Sequence, residues 1–545
     1  MDRCICPFME NNLWYTVRAG WKLIEHIDGV PGISDAEKTE MVAQVKCLMA
    51  DAYYQVFRHY GGLPLLKTAF KGTESSYNVP RTSVEETVNF IVNLLNEGAK
   101  DLPWAYDPSY SVSANYDNAE NDMGHWTRAG ALALKCKVLL FAASPLFNNN
   151  EPYHGGNSEA EQQHLVWYGG YKKELWDQCY DACKTFFDEL SSKGYYYLET
   201  VTTTSPTPGQ YRAAYRHAYI DRDSREIIHS TRVTDTYISG NYFNKQRDRI
   251  GMPTYEYMTK FAWADGTPFD WEKAKNEDKL NEIFVKWSNP NATGKYDAST
   301  ATLTRDPRLY ETIIVNGVPR SLSSDGKLSG DPWETWVSGR DAGTNPEKQS
   351  NSYAFGFHSN KFYADASYSS KPQHWPALRL SDLMLVYAEA KMQSKNDYDG
   401  AIKLIDQVRA RVGLRSLKDF YSSSELSDPD KLLDILLNER ACELGLENSR
   451  FYDLIRYKKK EVFETPLHAL VTYRLDNEGN VVKQRWYGND KDANKPFPSS
   501  FKYDIVPIKT GKRYWWDNGF DSKWYLSAIK TTEIAKGYLI QNPGW

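Results

Sequence analysis

The sequence has no run of about 18 consecutive apolar residues, so it offers no transmembrane helix. Its first residues, Met1 to Phe8, carry no signal-like apolar stretch. Charge of one sign is also missing: 66 Lys and Arg stand against 71 Asp and Glu, a net of −5 over 545 residues. That balance gives no electrostatic reason to expect nucleic acid or an anionic lipid surface as partner. Cysteine is sparse. Cys4, Cys6, Cys47, Cys136, Cys179, Cys183 and Cys442 make no CxxC pair and no regular framework. Cys179 and Cys183 share one helical face without companions at metal-ligand spacing, and they read as buried apolar thiols. The histidines are scattered, and His217 and His229 have no third ligand near them in sequence. There is no HExxH, GxSxG, Walker loop or GxGxxG, so no catalytic residue, metal or cofactor is assigned. The acidic run from Asp221 to Glu226 loosely resembles a calcium loop but lacks the central glycine, and it reads as a solvated turn.

Aromatic residues, by contrast, are plentiful. With 17 Trp, 38 Tyr and 21 Phe, the chain is richest in rings that combine an apolar face with a polar edge. Such rings suit half-wet ligand surfaces, and they serve equally well to cement helices together. With 41% hydrophobic residues over this length, a large core is expected, built as several units or one repeat-like body.

Residues 1–195 read as successive helices. Met41, Val45, Leu48, Ala52 and Val56 recur at helical spacing, widened by Met49, Tyr53, Phe57 and Tyr60, until Gly61-Gly62 and Pro64 end the run. Ser83 and Glu86 form a capping-box signature, and Thr127 caps a helix that runs to Ser144-Pro145. A further helix carries Trp176, Cys179, Cys183, Phe187 and Leu190 and stops at Gly194. Residues 196–375 change character, with short extended pieces such as Glu226-Ile227-Ile228 and Thr312 to Val315 set among Gly-, Pro- and Asn-rich loops. From 376 to 545 helices return: Leu380, Leu383, Met384 and Tyr387 line one, and Ala401, Ile402, Ile405 and Val408 line a second, closed by Gly413. Helix pairs joined by short turns predict a mainly α, tetratricopeptide-like scaffold with a loop-rich middle and few short strands, all one unit.

Several stretches resemble the SusD/RagB family of nutrient-binding outer-membrane lipoproteins. They are Arg379-Leu380-Ser381-Asp382 with Tyr387-Ala388-Glu389-Ala390, then Val408-Arg409-Ala410-Arg411, then Asn438-Glu439-Arg440 through Glu443, Glu447, Arg450, Asp453 and Arg456. Tyr54 to Pro64, Lys135 to Asn148 and the terminal Leu539 to Trp545 follow the same order as in the family. Two positions depart from its pattern: Ala441 stands where a second Arg is common, and Tyr457 where Trp is. The resemblance implies non-catalytic binding of oligosaccharides, or of peptides in some members, at the extracellular face of the outer membrane. It also implies delivery to a SusC-like, TonB-dependent transporter, and a lipid anchor in the full-length precursor. Family members begin with a signal peptide, an anchoring cysteine and a further helical segment; Cys4 and Cys6 are no lipobox, so that segment is expected to precede this chain.

For the ligand we expect Tyr237, Asn241, Tyr242 and Arg247, which follow Glu226-Ile227-Ile228 as in the family, with Trp167 and Tyr168 as a second rim. Sugars stack their C–H faces on rings while Asn and Arg reach the hydroxyls. The carboxylates Glu439, Glu443 and Glu447 recur every four residues, and Arg440 and Arg450 are expected to pair with them along one packed helix. As an acid and base they would sit too close to flank a sugar with inversion. A glycoside hydrolase and a purely structural adaptor remain alternatives, distinguished by release of reducing sugar and by absence of any small ligand.

Overall fold

The computed structural model describes residues 12–106, 124–221, 223–232, 252–287, 297–362, 374–483, 498 and 500–545. Five long helices open it: α1 (Asn12–His26), α2 (Asp35–Tyr60), α3 (Val84–Gly98), α4 (Arg128–Ala143) and α5 (Lys173–Lys193). The middle contributes α6 (Pro208–Ile220), β1 (Ile227–Arg232) and α7 (Pro307–Thr312). Then follow β2 (His374–Arg379), α8 (Leu380–Lys395), α9 (Tyr398–Ala410), α10 (Pro429–Glu443), α11 (Arg450–Arg456), β3 (His468–Leu475) and β4 (Phe501–Pro507).

Local chemistry accounts for the helix ends. Ser34 with Glu37 and Ser83 with Glu86 form reciprocal capping boxes at α2 and α3, and the Thr127 hydroxyl accepts the Gly130 amide at α4. Gly61 ends α2 with a φ of 77°, and a Cβ on the next residue, Gly62, would lie 2.0 Å from the Thr82 carbonyl oxygen. Only glycine fits there, because the chain turns back directly against the start of α3.

Successive helices pack in order, α1 on α2, α2 on α3, α3 on α4 and α4 on α5. The next partner of α5 is α8, which also packs on α9 and α10. The chain therefore leaves a tetratricopeptide-like stack after α5 and rejoins it at α8. The main core runs through the whole stack, from Val17, Phe57 and Leu139 to Leu383, Ile405 and Leu436. On α2 the expected Met49, Tyr53, Val56, Phe57 and Tyr60 are buried, but Met41 and Leu48 are exposed, and Ala43, Cys47 and Ala50 are buried in their stead. Small residues let α1 and α3 approach on that side, and Gly20 and Gly98 lie against Met49 and Cys47.

The middle has its own core, including Met258, Phe261, Phe284, Val285, Leu309 and Tyr310, which also takes in Cys442 of α10 and Leu470 of β3. The antiparallel pair β3 and β4, with Val481–Val482 on the other edge of β3, was not apparent in the sequence. Ala469 to Thr472 are all buried, so β3 shows no polar alternation to mark it as a strand. No helix among the described residues is long and apolar enough to cross a membrane.

Candidate ligand-binding site

Tyr237, Asn241, Tyr242 and Arg247 lie outside the described residues. What the structure gives is the frame from which their segment departs. β1 pairs antiparallel with β2, and the register sets Arg232 opposite His374. Chain positions 233 and 373 are thus bonded to neighbouring strand ends. A third segment lies against the same ribbon: a Cβ on Gly124 would come within 3.2 Å of the Ser230 carbonyl oxygen of β1. Beside it Trp126 stacks on His229 with ring centroids 3.9 Å apart. The residues that leave from these roots, 107–123, 233–251 and 363–373, include Tyr110, Tyr116, Tyr237, Tyr242, Phe243, Tyr363 and Tyr368. The ribbon therefore gathers the ends of three tyrosine-bearing segments.

Behind the ribbon stands a buried charge network that fixes its foot. Arg379, the last residue of β2, reaches Glu226 at 2.7 Å, Glu443 at 3.1 Å and Glu447 at 2.8 Å. Arg411 joins Glu226 at 3.0 Å and also holds Glu443. Arg308 of α7 bridges Asp306 at 2.8 Å and Glu443 at 3.0 Å, and pairs with Glu439. Lys361 pairs with Glu447 and donates to the Tyr215 hydroxyl oxygen at 2.7 Å. Burial raises the Glu443 carboxyl, but the Arg411, Arg379 and Arg308 guanidiniums outweigh it and hold it well below the ordinary range.

These contacts correct the expected pairing. Arg440 does not serve Glu443; it binds Asp453 at 2.9 Å and Asp382 at 2.9 Å, while Arg450 reaches the Leu437 carbonyl oxygen. Arg440 and Glu443 share α10, but Glu443 is already held by Arg308, Arg379 and Arg411, and Arg450 lies beyond a break in the helix. α10 stops at Glu443, Leu446 and Asn448 turn with φ of 62° and 59°, and α11 starts at Arg450. The break also leaves Phe451 48% exposed rather than packed. The structural ion-pair reading holds all the same. Glu439, Glu443 and Glu447 are buried against cations, an environment for locking elements together and not for acid–base work on a sugar.

The remaining motif residues are structural in the same way. Lys137 binds Asp382 at 2.6 Å, and Arg456 pairs with Glu389 of α8 and with the Ser144 hydroxyl at 3.1 Å. Asn148 donates to the Ala143 and Lys172 carbonyls and accepts from the Lys172 amide at 2.7 Å. At the chain end, Gln541 exchanges two 2.8 Å bonds with the Ile529 backbone, and Asn542 donates to the Ser527 carbonyl.

Trp167 and Tyr168 lie in the loop between α4 and α5. The Trp167 ring is half-buried, and its indole N–H donates to the Glu161 carbonyl at 2.9 Å. Tyr168 is 4% exposed, and its hydroxyl has no partner. The loop's open ring is Tyr171, 50% exposed. A concave surface that sequence reasoning missed lies by α1: a cleft of about 350 Å³ lined by Trp14, Arg18, Phe70, Tyr77, Lys530 and Tyr538 among others. Its walls come from opposite ends of the chain, which no local pattern reveals.

Comparison with known proteins fits this architecture. Residues 217–545 match the model of the SusD family. A curated relative, the SusD-like protein P38 of Formosa agariphila, is 22% identical over 467 residues, covering 80% of this chain and 70% of that protein. Among solved structures, a SusD-like protein from Bacteroides fragilis superposes with a TM-score of 0.63 at 22% identity, covering 98% of this chain and 86% of the other. A SusD-like carbohydrate binding protein from the same species gives a TM-score of 0.57 at 17% identity, over 97% and 84% of the two chains.

Proposed function

The chain belongs to the SusD family, and from that membership we propose that it captures oligosaccharides at the outer face of a bacterial outer membrane and passes them to a SusC-like, TonB-dependent transporter. The part between 196 and 375 is the ligand-facing part in this reading, and the full-length precursor is held to the membrane by a lipid anchor. Binding proceeds without chemistry and without a cofactor. Tyr237 and Tyr242 offer ring faces to the sugar, Asn241 and Arg247 reach its hydroxyls, and Trp167 and Tyr168 supply a second rim. Tyr168 can take part only if its loop moves, since so little of it reaches solvent.

The observation that carries the reading is that the described residues flanking three tyrosine-bearing segments meet at the β1–β2 ribbon in a chain of this family. A glycan ligand is favoured over a peptide because a neighbour of the same fold is described as carbohydrate binding. A glycan array followed by titration calorimetry tests it. Stacking sites of this kind are expected at roughly −4 to −8 kcal/mol, millimolar to micromolar affinity. Tyr242→Ala is expected to weaken a hit by at least about tenfold, while Trp167→Ala weakens it less. Preference for a peptide over every glycan, or release of reducing sugar above a protein-free control, would overturn the proposal.

A further inference from the structure

At the foot of β1 the fold brings together three side chains that the sequence leaves apart in kind. His217 and Asp221 lie one turn apart at the end of α6, and Asp221 is its C-terminal cap. The Ser224 amide then donates to the Asp221 carbonyl at 3.2 Å, closing a turn that carries Asp223 back beside them. One ligating atom from each of His217, Asp221 and Asp223 falls within 4.8 Å of the others, the one such group of three among the described residues. His217 Nδ1 hydrogen-bonds to Asp221, and a third carboxylate, Glu199, stands at the other ring nitrogen with Oε1 3.6 Å from Nε2. Glu199 is itself held by the Ser224 hydroxyl at 2.8 Å and the Arg225 amide at 3.2 Å, and its own amide donates to Glu226. Glu199, and through it the imidazole, is therefore tied to the same buried network that anchors the ribbon.

We propose that His217, through Nδ1, forms a divalent transition-metal site with Asp221 and Asp223, while Glu199 faces the other ring nitrogen and orients the imidazole. One imidazole among carboxylates selects the metal. Calcium and magnesium take oxygen donors, whereas zinc, like its first-row neighbours, accepts nitrogen and carboxylate oxygen together. Zinc bonds to such donors are about 2.0–2.2 Å, so three ligands converge after side-chain rotations of the order of an ångström. His217 adds a nitrogen donor that the acidic turn from Asp221 to Glu226 does not itself contain. The ion would brace the start of β1, from whose other end the tyrosine-bearing segment 233–251 departs.

The test is calorimetry and bound-metal analysis on the metal-stripped full chain, with zinc as probe and calcium as comparison. One zinc per chain is expected, bound at least about tenfold more tightly than calcium. His217→Ala and, separately, Asp223→Asn should each weaken zinc by at least about tenfold. Asp223 is exposed, so its variant keeps the fold, as circular dichroism would register. A Cys4→Ser/Cys6→Ser variant should bind zinc unchanged. The proposal fails if zinc does not saturate near one equivalent, or if binding survives both single substitutions. It fails equally if His217→Ala lowers the melting temperature in chelator while zinc has no effect on the parent chain, since the group would then be an ion pair alone.

Discussion

Arg379 sits 1% exposed among Glu226, Glu443 and Glu447, and it also donates to the Ser381 hydroxyl at 2.9 Å. A guanidinium is suited to this place because its planar fork serves several carboxylates at once and cannot lose its charge. Replacing it with methionine keeps the volume but leaves buried carboxylates short of a cation. Arg379→Met should cost about 3–5 kcal/mol in urea unfolding, and adding Glu447→Gln should recover part of the loss. A cost below about 1 kcal/mol would mean the network contributes little to stability. Tyr168 poses the opposite case. Its hydroxyl is buried without a partner, and burial pushes the phenol's pKa well upward. Tyr168→Phe removes a polar atom whose desolvation is uncompensated, so the melting temperature should stay level or rise, whereas Tyr168→Ala should cost about 3–5 kcal/mol. A clear loss on Tyr168→Phe would show that the hydroxyl has a role after all.

At the scale of elements, the return of the chain after α2 depends on two adjacent glycines. A side chain on Gly62 would strike the Thr82 carbonyl at 2.0 Å, and the Gly62 amide already donates to the Leu165 carbonyl at 2.7 Å. Gly62→Ala should therefore cost about 1–3 kcal/mol by thermal melts, and an unchanged melting temperature would show that the turn can shift. This junction was legible in the sequence because glycines and caps act within a few residues: Ser83 with Glu86, Thr127, Gly194 and Gly413 all sit where the helices start or stop. The helix pairs of the stack were legible for the same reason. What was not legible depends on distant partners. The buried face of α2 turned away from Met41 and Leu48 because its neighbours approach on small residues. The expected Arg440–Glu443 pair gave way to Asp382 and Asp453, and β3 hid as a continuous apolar run. The family motifs were recognised correctly, and the structure supplies their physical content: Asp382, Glu389, Arg411, Glu443 and Arg456 are buried ion-pair members. Their presence marks the fold, while of the ligand-facing positions chosen from sequence Tyr237, Asn241, Tyr242 and Arg247 lie beyond the described residues, Trp167 is half-buried and Tyr168 is buried.

For the whole molecule, the decisive feature is that two hydrophobic cores meet across a charged seam. α7 belongs to the middle core through Leu309 and Tyr310, yet its Arg308 binds Glu439 and Glu443 of α10 in the stack. Within the middle, burial raises the Glu311 carboxyl, but Arg216 and Arg212 outweigh burial and lower it to about 2. A carboxylate whose folded pKa is depressed adds stability that is fully present above its unfolded value, near 4.5, and that is lost as pH falls toward the folded value. Glu443, also held low, loses its share in the same direction. In the stack burial likewise raises the Asp382 and Asp453 carboxyls and Lys137, Arg440 and Arg456 outweigh it, but there the acid-sensitive pairs are set against a far larger apolar core. Acid should therefore loosen the middle before the stack: at neutral pH one unfolding transition is expected, and as pH falls from about 4.5 toward 2 pepsin should cut between 252 and 362 first. Glu311→Gln should lower stability at pH 7 and flatten its decline over that window. Cuts spread evenly along the chain, or a Glu311→Gln profile parallel to the parent's, would show that the seam does not govern how the two cores hold together.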